Sequence, residues 1–167
     1  MKSIVLCGFM GCGKSTVGKA LARLMSFDFV DMDSYIERRE GMSVAEIFAV
    51  RGEEYFRAIE SEVCAELSRR HNTIIAAGGG ALISQKNACI FKGSCIIIFL
   101  EMPFERLLLR IRKNASRPLA ASSSDEQLLS LYNERLPVYR YVADFCMEAT
   151  GTPDEIANQI LERIDMQ

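Results

Sequence analysis

A glycine-rich segment near the start of the chain carries the clearest chemical signal in the sequence. Residues 8 to 16 read GFMGCGKST, which puts Gly8, Gly13, Lys14 and Ser15 in the pattern G-x-x-x-x-G-K-S. An apolar run at 4–7 precedes the segment and predicts a buried strand, and a helical pattern follows it. Backbone N–H groups can approach phosphate oxygens closely where no Cβ intervenes, and the following helix directs its positive end at the anion. The segment therefore predicts a binding site for a nucleoside triphosphate.

The residues of this loop have distinct expected roles. Backbone amides would contact the phosphates, Lys14 would reach the β- and γ-phosphates, and the Ser15 hydroxyl would bind Mg²⁺. The ATP-binding set predicted here is Gly11, Cys12, Gly13, Lys14, Ser15 and Thr16. A glycine-rich turn without a ligand is the alternative, and the strand and helix that flank the motif favour nucleotide binding. No N-K-x-D motif for reading guanine is present, and 167 residues are few for a motor ATPase, so we expect a small kinase.

Apolar blocks alternate with helical patterns along the chain. Strand–helix alternation predicts a parallel sheet, and continuous apolar runs are typical of strands covered on both faces. We expect an α/β fold with three layers, α/β/α, around a central five-stranded parallel sheet of the P-loop NTPase type. Ligands in such folds bind beyond the carboxyl ends of the strands. The predicted strands are 3–7, 28–31, 73–76, 94–100 and 145–148, and the predicted helices are 14–25, 53–70, 103–113, 125–141 and 153–164.

The composition is that of an ordinary globular domain. Hydrophobic residues make up 49% of the sequence and charged residues 25%, with a formal net charge of −2, and we expect one domain over residues 1–167. This charge argues against a nucleic acid or an anionic membrane as partner, and the apolar run 95–100 is too short to span a bilayer. The first residues resemble a buried strand more than a signal peptide, and the six cysteines form no C-x-x-C pair. We expect a cytoplasmic protein and a monomer.

Further motifs follow the phosphate loop in a defined order. They are S-V-A-E-I-F at 43–48, G-E at 52–53, F-R-x-x-E at 56–60, G-G-G at 78–80, R-P-L at 117–119 and E-R-L-P-V-Y at 134–139. Together with the loop, this set resembles shikimate kinase in order, spacing and size from residue 3 to about residue 153. The resemblance implies transfer of the γ-phosphoryl group of ATP to the 3-hydroxyl of shikimate, a step of aromatic amino-acid biosynthesis. Shikimate carries one carboxylate and three ring hydroxyls.

The resemblance implies an acceptor site in a helical region of about 33–61 and in the glycine run at 78–80. Arg57 and Arg135 would clamp the carboxylate, because a guanidinium matches a carboxylate in bidentate geometry. Glu60 lies three residues after Arg57 and would hold its orientation, although the spacing alone favours an exposed salt bridge and only the whole set of motifs reverses that preference. The other predicted acceptor residues are Phe48 and Phe56, as ring walls or core residues, and Gly78, Gly79 and Gly80, as close backbone donors or a tight turn.

The second predicted strand ends at Asp31, and Asp33 stands two residues later on the same side. Asp33 is the candidate for binding the attacking hydroxyl, and for accepting its proton. Asp31 would act through water on Mg²⁺ beside Ser15, so that Ser15 and Asp31 form the expected metal site. The alternative for Asp33 is to cap a helix that begins at Ser34.

The expected catalytic residues are Asp33, Lys14 and Arg117. By resemblance, Arg117 belongs to a mobile lid of about 112–124 that closes over the triphosphate and excludes water. Arg110 matches the family position that stacks on adenine, with a solvated helix arginine as the alternative. Backbone near Pro153 would complete the ATP site.

Two other functions remain open at this point. One is a kinase for another small hydroxy acid such as gluconate, and the other is a non-catalytic module that binds nucleotide and signals by lid closure. The sequence also departs from the family pattern at Ala77, where a hydroxyl residue is frequent, so a contact to Mg²⁺ or its waters would be missing.

Overall fold

Five parallel strands form one sheet with the order β2-β3-β1-β4-β5. The computed structural model describes residues 1–113 and 122–166. The strands are β1 Ser3–Cys7, β2 Asp28–Asp31, β3 Thr73–Ala76, β4 Cys95–Glu101 and β5 Phe145–Glu148. The predicted bounds of four strands are confirmed, and β4 begins and ends one residue later than predicted.

Helices cover both faces of the sheet. The described residues contain α1 Lys14–Met25, α2 Met32–Glu40, α3 Val44–Leu67, α4 Gln85–Lys92, α5 Phe104–Lys113, α6 Asp125–Val142 and α7 Pro153–Asp165, with a short 3₁₀ helix at Ala81–Ile83. Helices α1 and α7 pack against each other, while α3 packs on α4, and α4 and α6 contact β4. The predicted three-layer α/β/α fold is confirmed. None of the described helices combines the length and the apolar character that a membrane span requires.

Burial explains why the central strands lack alternation. Every residue of β1 and of β3 is buried, because helices cover the strands on both sides. Apolar side chains on both faces therefore contribute to the core, and the strand ends are left to carry polar chemistry.

The structure contains helices that the apolar pattern of the sequence did not predict, although the resemblance implied a helical region of about 33–61 that overlaps two of them. These are α2, α4 and the first half of α3, which begins nine residues before the predicted start at 53. Ser43 starts α3 with a capping box, in which Glu46 N donates to Ser43 Oγ (3.2 Å) and Ser43 N donates to Glu46 Oε2 (2.7 Å). Gly52 interrupts α3 with a φ of 86°, a value that glycine adopts without strain.

Candidate active site

Three functional segments leave the same edge of the sheet. Strands β1, β3 and β2 are neighbours, and Ala76 of β3 is in register with Leu6 of β1 and with Asp31 of β2. Neighbouring strands lie about 4.8 Å apart, so the segments that follow them emerge side by side. The phosphate loop follows β1, the glycine run at 78–80 follows β3, and β2 continues directly into α2, which carries Asp33.

The phosphate loop reaches α1 through glycines in the left-handed region. Gly8, Gly11 and Gly13 have φ values of 147°, 82° and 97°. A Cβ on Gly8 would lie 2.8 Å from the backbone oxygen of Leu100, so the loop has no room for a side chain there. Gly13 is the N-cap of α1 and supplies no side-chain cap. The first amides of α1 are therefore directed at the space beyond the loop, as an anion site requires.

A cavity of about 380 Å³ lies beside this loop. Its lining residues are Gly11, Gly13, Lys14, Ser15, Thr16, Arg110, Ile111 and Lys113. The exposed Arg110 donates from Nη1 to the carbonyl of Gly11 (3.3 Å), so it borders the phosphate loop. Cys12 is 1% exposed and can contribute only its backbone. Pro153, which was also predicted for the ATP site, begins α7 and is not among the described residues that line this cavity.

Lys14 folds back over its own loop. Its Nζ donates to the carbonyl oxygens of Gly8 (2.8 Å) and Phe9 (3.1 Å). The ammonium group is therefore held against backbone carbonyl groups of the phosphate loop.

The side-chain oxygens of Ser15 and Asp31 lie close together, and Ser15 is next to Lys14 in the chain. Ser15 Oγ donates to Asp31 Oδ2 at 2.5 Å. The other carboxylate oxygen of Asp31 accepts from Ser34 N at 3.2 Å and caps α2. The alternative that Asp33 caps this helix is thus wrong, because β2 ends at Asp31 and the helix begins at Met32. Hydroxyl and carboxylate oxygens are suitable ligands for Mg²⁺ or its waters.

Asp33 lies in the first turn of α2, exposed and facing the glycine run. A Cβ on Gly78 would lie 3.0 Å from Asp33 Oδ1 and 3.1 Å from Glu60 Oε1. The two carboxylates therefore approach the same backbone position from different helices. A side chain at position 78 would push them away from it.

Arg57 is held by two carboxylates of its own helix. Its Nη1 contacts Glu60 Oε2 at 3.0 Å, and its Nη2 contacts Glu53 Oε1 at 3.2 Å. The side chain of Glu60 is 2% exposed and that of Arg57 is 38% exposed. The alternative of an exposed Arg57–Glu60 salt bridge is thus wrong, because one partner is in the interior.

Burial shifts the titration of this pair. Burial raises the pKa of Glu60 above the ordinary value and outweighs the opposing effect of the Arg57 guanidinium, and the negative charge of Asp33 raises this pKa further. Burial would lower the pKa of Arg57, but the charges of Glu60 and Glu53 raise it overall. Arg57 therefore stays cationic.

The glycine run at 78–80 is bordered by both predicted clamp arginines. A Cβ on Gly80 would lie 2.8 Å from Arg57 Nη1, and a Cβ on Gly79 would lie 3.7 Å from Arg135 Nη1. Arg57 comes from α3 and Arg135 from α6, so the two guanidinium groups approach the run from two elements. A side chain at position 80 would collide with the Arg57 guanidinium, so the backbone must be bare there.

The two predicted ring walls differ in exposure. Phe56 is 3% exposed and belongs to the core, whereas Phe48 is partly exposed. Their ring centroids lie 4.7 Å apart, and the Arg57 guanidinium lies over the Phe56 ring at 5.5 Å. The buried Phe56 ring thus packs against the Arg57 guanidinium, and Phe48 is the ring that solvent can reach.

The predicted lid is described only at its ends. Arg117 and the rest of 114–121 lie outside the described residues. At the ends, Arg112 Nη2 contacts Asp125 Oδ1 at 2.5 Å and donates to the carbonyl of Ser123 at 2.8 Å. These contacts tie the end of α5 to the start of α6.

Known proteins resemble this chain over nearly its whole length. The family model described as Shikimate kinase matches residues 10–165. The chain belongs to the shikimate kinase family. A shikimate kinase of Caldanaerobacter subterraneus is 41% identical over 163 residues, which cover 96% of this chain and 95% of the relative. The solved structure of the Acinetobacter baumannii shikimate kinase in complex with shikimate matches with a TM-score of 0.94 at 36% identity, covering 99% of this chain and 94% of that chain.

These matches confirm the predicted family and the predicted function of a shikimate kinase, an ATP-dependent enzyme. A gluconokinase of Sinorhizobium meliloti also matches, with a TM-score of 0.55 at 15% identity over 99% of this chain and 97% of that chain. At that identity the likeness shows the fold alone.

Two residues next to the predicted site were not assigned from the sequence. Glu53 binds Arg57, and Lys113 lines the cavity beside the phosphate loop. The spacing in the sequence could have indicated both contacts. Glu53 stands four residues before Arg57, and Lys113 stands three residues after Arg110, so each pair lies on one face of a helix.

The raised pKa of Glu60 predicts a pH-dependent stability difference. The folded chain binds more protons than the unfolded chain between the ordinary glutamate pKa of 4.5 and the raised value. The contribution of Glu60 to stability is therefore complete below pH 4.5 and is lost as the pH rises through the raised pKa. We expect the urea midpoint of wild type, relative to that of Glu60→Gln, to fall over this range. Urea titrations from about pH 4 to pH 8 measure it, and parallel curves for the two proteins would contradict it.

Proposed function

We propose that this chain transfers the γ-phosphoryl group of ATP to the 3-hydroxyl of shikimate, giving shikimate 3-phosphate and ADP, with Mg²⁺ as cofactor. The observation that carries the proposal is the approach of Arg57 and Arg135 to the glycine run at 78–80, beside the phosphate loop. The phosphate loop supplies the donor side, and the two guanidinium groups supply a site for an acceptor that carries one carboxylate.

The nucleotide side consists of bare amides, one lysine and the edge of α5. The amides of the loop and the first turn of α1 would hold the β- and γ-phosphates, and Lys14 would move from its carbonyl partners to the phosphate oxygens. Arg110 would lie against the adenine, and the backbone near Pro153 would complete that pocket. Phosphoryl transfer depends mainly on positioning and on neutralising charge, and this arrangement provides both.

Ser15 and Asp31 are the residues that we assign to Mg²⁺. Their oxygens lie 2.5 Å apart at the start of α1, and Mg²⁺ is usually held by one or two such groups together with substrate phosphates. When bound, the ion would supply positive charge that neutralises the negative charge developing on the transferring phosphoryl group. Asp31 also caps α2, so the helix that carries Asp33 starts at the proposed metal site.

The acceptor side would hold shikimate by its carboxylate and orient one hydroxyl. Arg57 and Arg135 would bind the carboxylate, and Glu60 would keep Arg57 in place. Asp33 would accept a hydrogen bond from the 3-hydroxyl and direct it at the γ-phosphorus. Phe48 would pack against the ring, while the amides of Gly79 and Gly80 would donate to the acceptor.

The remaining assignments follow from the sequence. We propose that residues 1–167 act as one domain, that the lid of about 112–124 brings Arg117 to the γ-phosphate, and that the chain works as a cytoplasmic monomer. Light scattering on a sizing column tests the monomer, since a dimer would double the mass of 18.7 kDa.

An acceptor screen tests the proposed reaction. Purified protein with Mg²⁺ and ATP should release ADP rapidly when shikimate is added, and not when gluconate is added. Mass spectrometry of the shikimate reaction should show one added phosphoryl group. Stimulation by gluconate alone would reject the shikimate assignment, and tight ATP binding without any phosphorylated product would indicate a non-catalytic module.

A further inference from the structure

The hydroxyl of Tyr139 binds the middle glycine of the run at 78–80. Tyr139 lies on α6 one turn after Arg135, and its side chain is buried, with 1% exposure. Its Oη donates a short hydrogen bond to the carbonyl oxygen of Gly79. Arg135, on the same helix, borders the same glycine, because a Cβ on Gly79 would lie 3.7 Å from Arg135 Nη1. Two side chains of α6 therefore contact the glycine run at one position.

The three carbonyl groups of the run have separate partners. Gly78 O accepts from Ala81 N at 3.0 Å, and Gly80 O accepts from Ile83 N at 3.2 Å. Both partners belong to the short 3₁₀ helix that follows the run directly. Gly79 O is instead bound by Tyr139, from an element some sixty residues away in sequence. Consecutive glycines have wide conformational freedom, so a contact from a distant element strongly restricts where the run can lie.

Tyr139 is itself held rigidly. Its ring stacks on Phe99 of β4, with centroids 5.3 Å apart and an interplanar angle of 25°. Burial raises the pKa of its phenol, and both the positive charge of Arg135 and a side-chain hydrogen bond with Arg135 oppose that shift without cancelling it. The phenol therefore keeps its proton at neutral pH and remains a hydrogen-bond donor.

We propose that Tyr139 is a positioning residue that fixes the glycine run relative to Arg135, so that the carboxylate clamp forms with a single geometry. This inference rests on the proposed function. Tyr139 does not need to touch the acceptor, because it acts through the Gly79 carbonyl, through its side-chain hydrogen bond with Arg135 and through the helix that both residues share. Its effect should therefore fall on the acceptor and not on the nucleotide.

Tyr139→Phe should raise the KM for shikimate by about tenfold, because the Gly79 carbonyl loses its partner and the run can shift. The KM for ATP should stay within about twofold, and kcat should fall less than the KM rises. Steady-state kinetics with each substrate varied in turn measure all three values, and calorimetric titration with shikimate checks that binding itself is weakened.

Tyr132→Phe is the matched control. Tyr132 lies on the same helix, and its hydroxyl donates to the carbonyl oxygen of Met102 at 3.1 Å, so this variant also loses one hydroxyl-to-carbonyl hydrogen bond. A general loss of stability would affect both variants, whereas the proposed role affects only Tyr139→Phe. A shikimate KM that changes equally in the two variants would overturn the inference, as would an equal rise of both KM values in Tyr139→Phe.

Two further variants test the route of the effect. In an Arg135→Ala background, Tyr139→Phe should cost much less in shikimate KM than it does in wild type, because the clamp is already incomplete. Replacing Tyr139 with 4-aminophenylalanine, which restores an N–H donor, should recover most of the wild-type KM. Full additivity in the first case or no recovery in the second would contradict the inference. Wild type without shikimate-dependent ADP release would instead reject the proposed function itself.

Discussion

Arg57→Ala should raise the KM for shikimate by about 10- to 100-fold and leave the KM for ATP within about twofold. A hydrogen bond to a charged group contributes about 1.5–3 kcal/mol, and each 1.4 kcal/mol changes a binding constant tenfold. Arg57 borders Gly80 at the proposed acceptor site, and no part of it lines the cavity beside the phosphate loop within the described residues. The loss should therefore be confined to the acceptor. Initial rates at varied shikimate and saturating ATP measure it.

The control for this variant must separate binding from folding. Removing Arg57 leaves Glu60 buried without its cation, which destabilises the chain as well as the clamp. Arg57→Lys keeps the charge near Glu60 but lacks the planar fork, so it should restore the melting temperature more fully than the shikimate KM. Arg69→Ala removes an exposed arginine just beyond the end of α3 and should change neither KM. An unchanged shikimate KM in Arg57→Ala would eliminate the carboxylate clamp.

The elements that position the donor side were predictable because their signals are local. The loop, the preceding strand and the following helix form one contiguous segment, from Ser3 to Met25, and glycine, lysine and serine spacing specifies it. The bounds of strands β2 and β3 agree with the prediction. For β4 the apolar run predicted the strand but not its exact first and last residues, because Ser94 and Glu101 are both acceptable end residues.

Helices with a weak apolar stripe were missed. The sequence of α2 is rich in charged residues, and only Met32 and Ile36 are buried, so periodicity gives little indication of a helix. In α3, Gly52 suggested a helix boundary, although Ser43 and Glu46 formed a capping box that indicated an earlier start. This omission matters, because α2 and the first half of α3 carry Asp33 and Phe48.

The geometry of the acceptor side depends on contacts that sequence spacing does not contain. Asp31 and Asp33 were expected side by side on a strand, but the chain turns into α2 between them, and each carboxylate acquires a separate environment. The spacing of Arg57 and Glu60 alone favours a solvated pair. Its interior position results from the packing of α3, and the partner of the Gly79 carbonyl lies on α6. Such partners are set by tertiary structure alone.

Asp33→Asn should lower kcat by about 100- to 1,000-fold and leave the KM for ATP within about twofold, because proton transfer by a positioned side chain contributes on this scale. Asparagine keeps the size of the side chain and can still accept a hydrogen bond, but it carries no negative charge to polarise the attacking hydroxyl. Asp33 lies in the first turn of α2, next to the Asp31 cap and within reach of Gly78, so the variant leaves the cap on Asp31 in place. Single-turnover rates at saturating ATP and shikimate measure the chemical step directly.

The matched control is Asp28→Asn, which neutralises an exposed aspartate at the opposite end of β2, away from the carboxyl edge of the sheet. It should retain wild-type kcat, which would show that lowering the negative charge of this segment is not itself harmful. If Asp33→Asn instead raises the shikimate KM and keeps kcat, the carboxylate binds the hydroxyl equally in the ground state and in the transition state. A wild-type kcat and KM would leave Asp33 without a role in the reaction. The proposed mechanism requires the drop in the single-turnover rate, because only that result assigns the orientation of the nucleophile to Asp33.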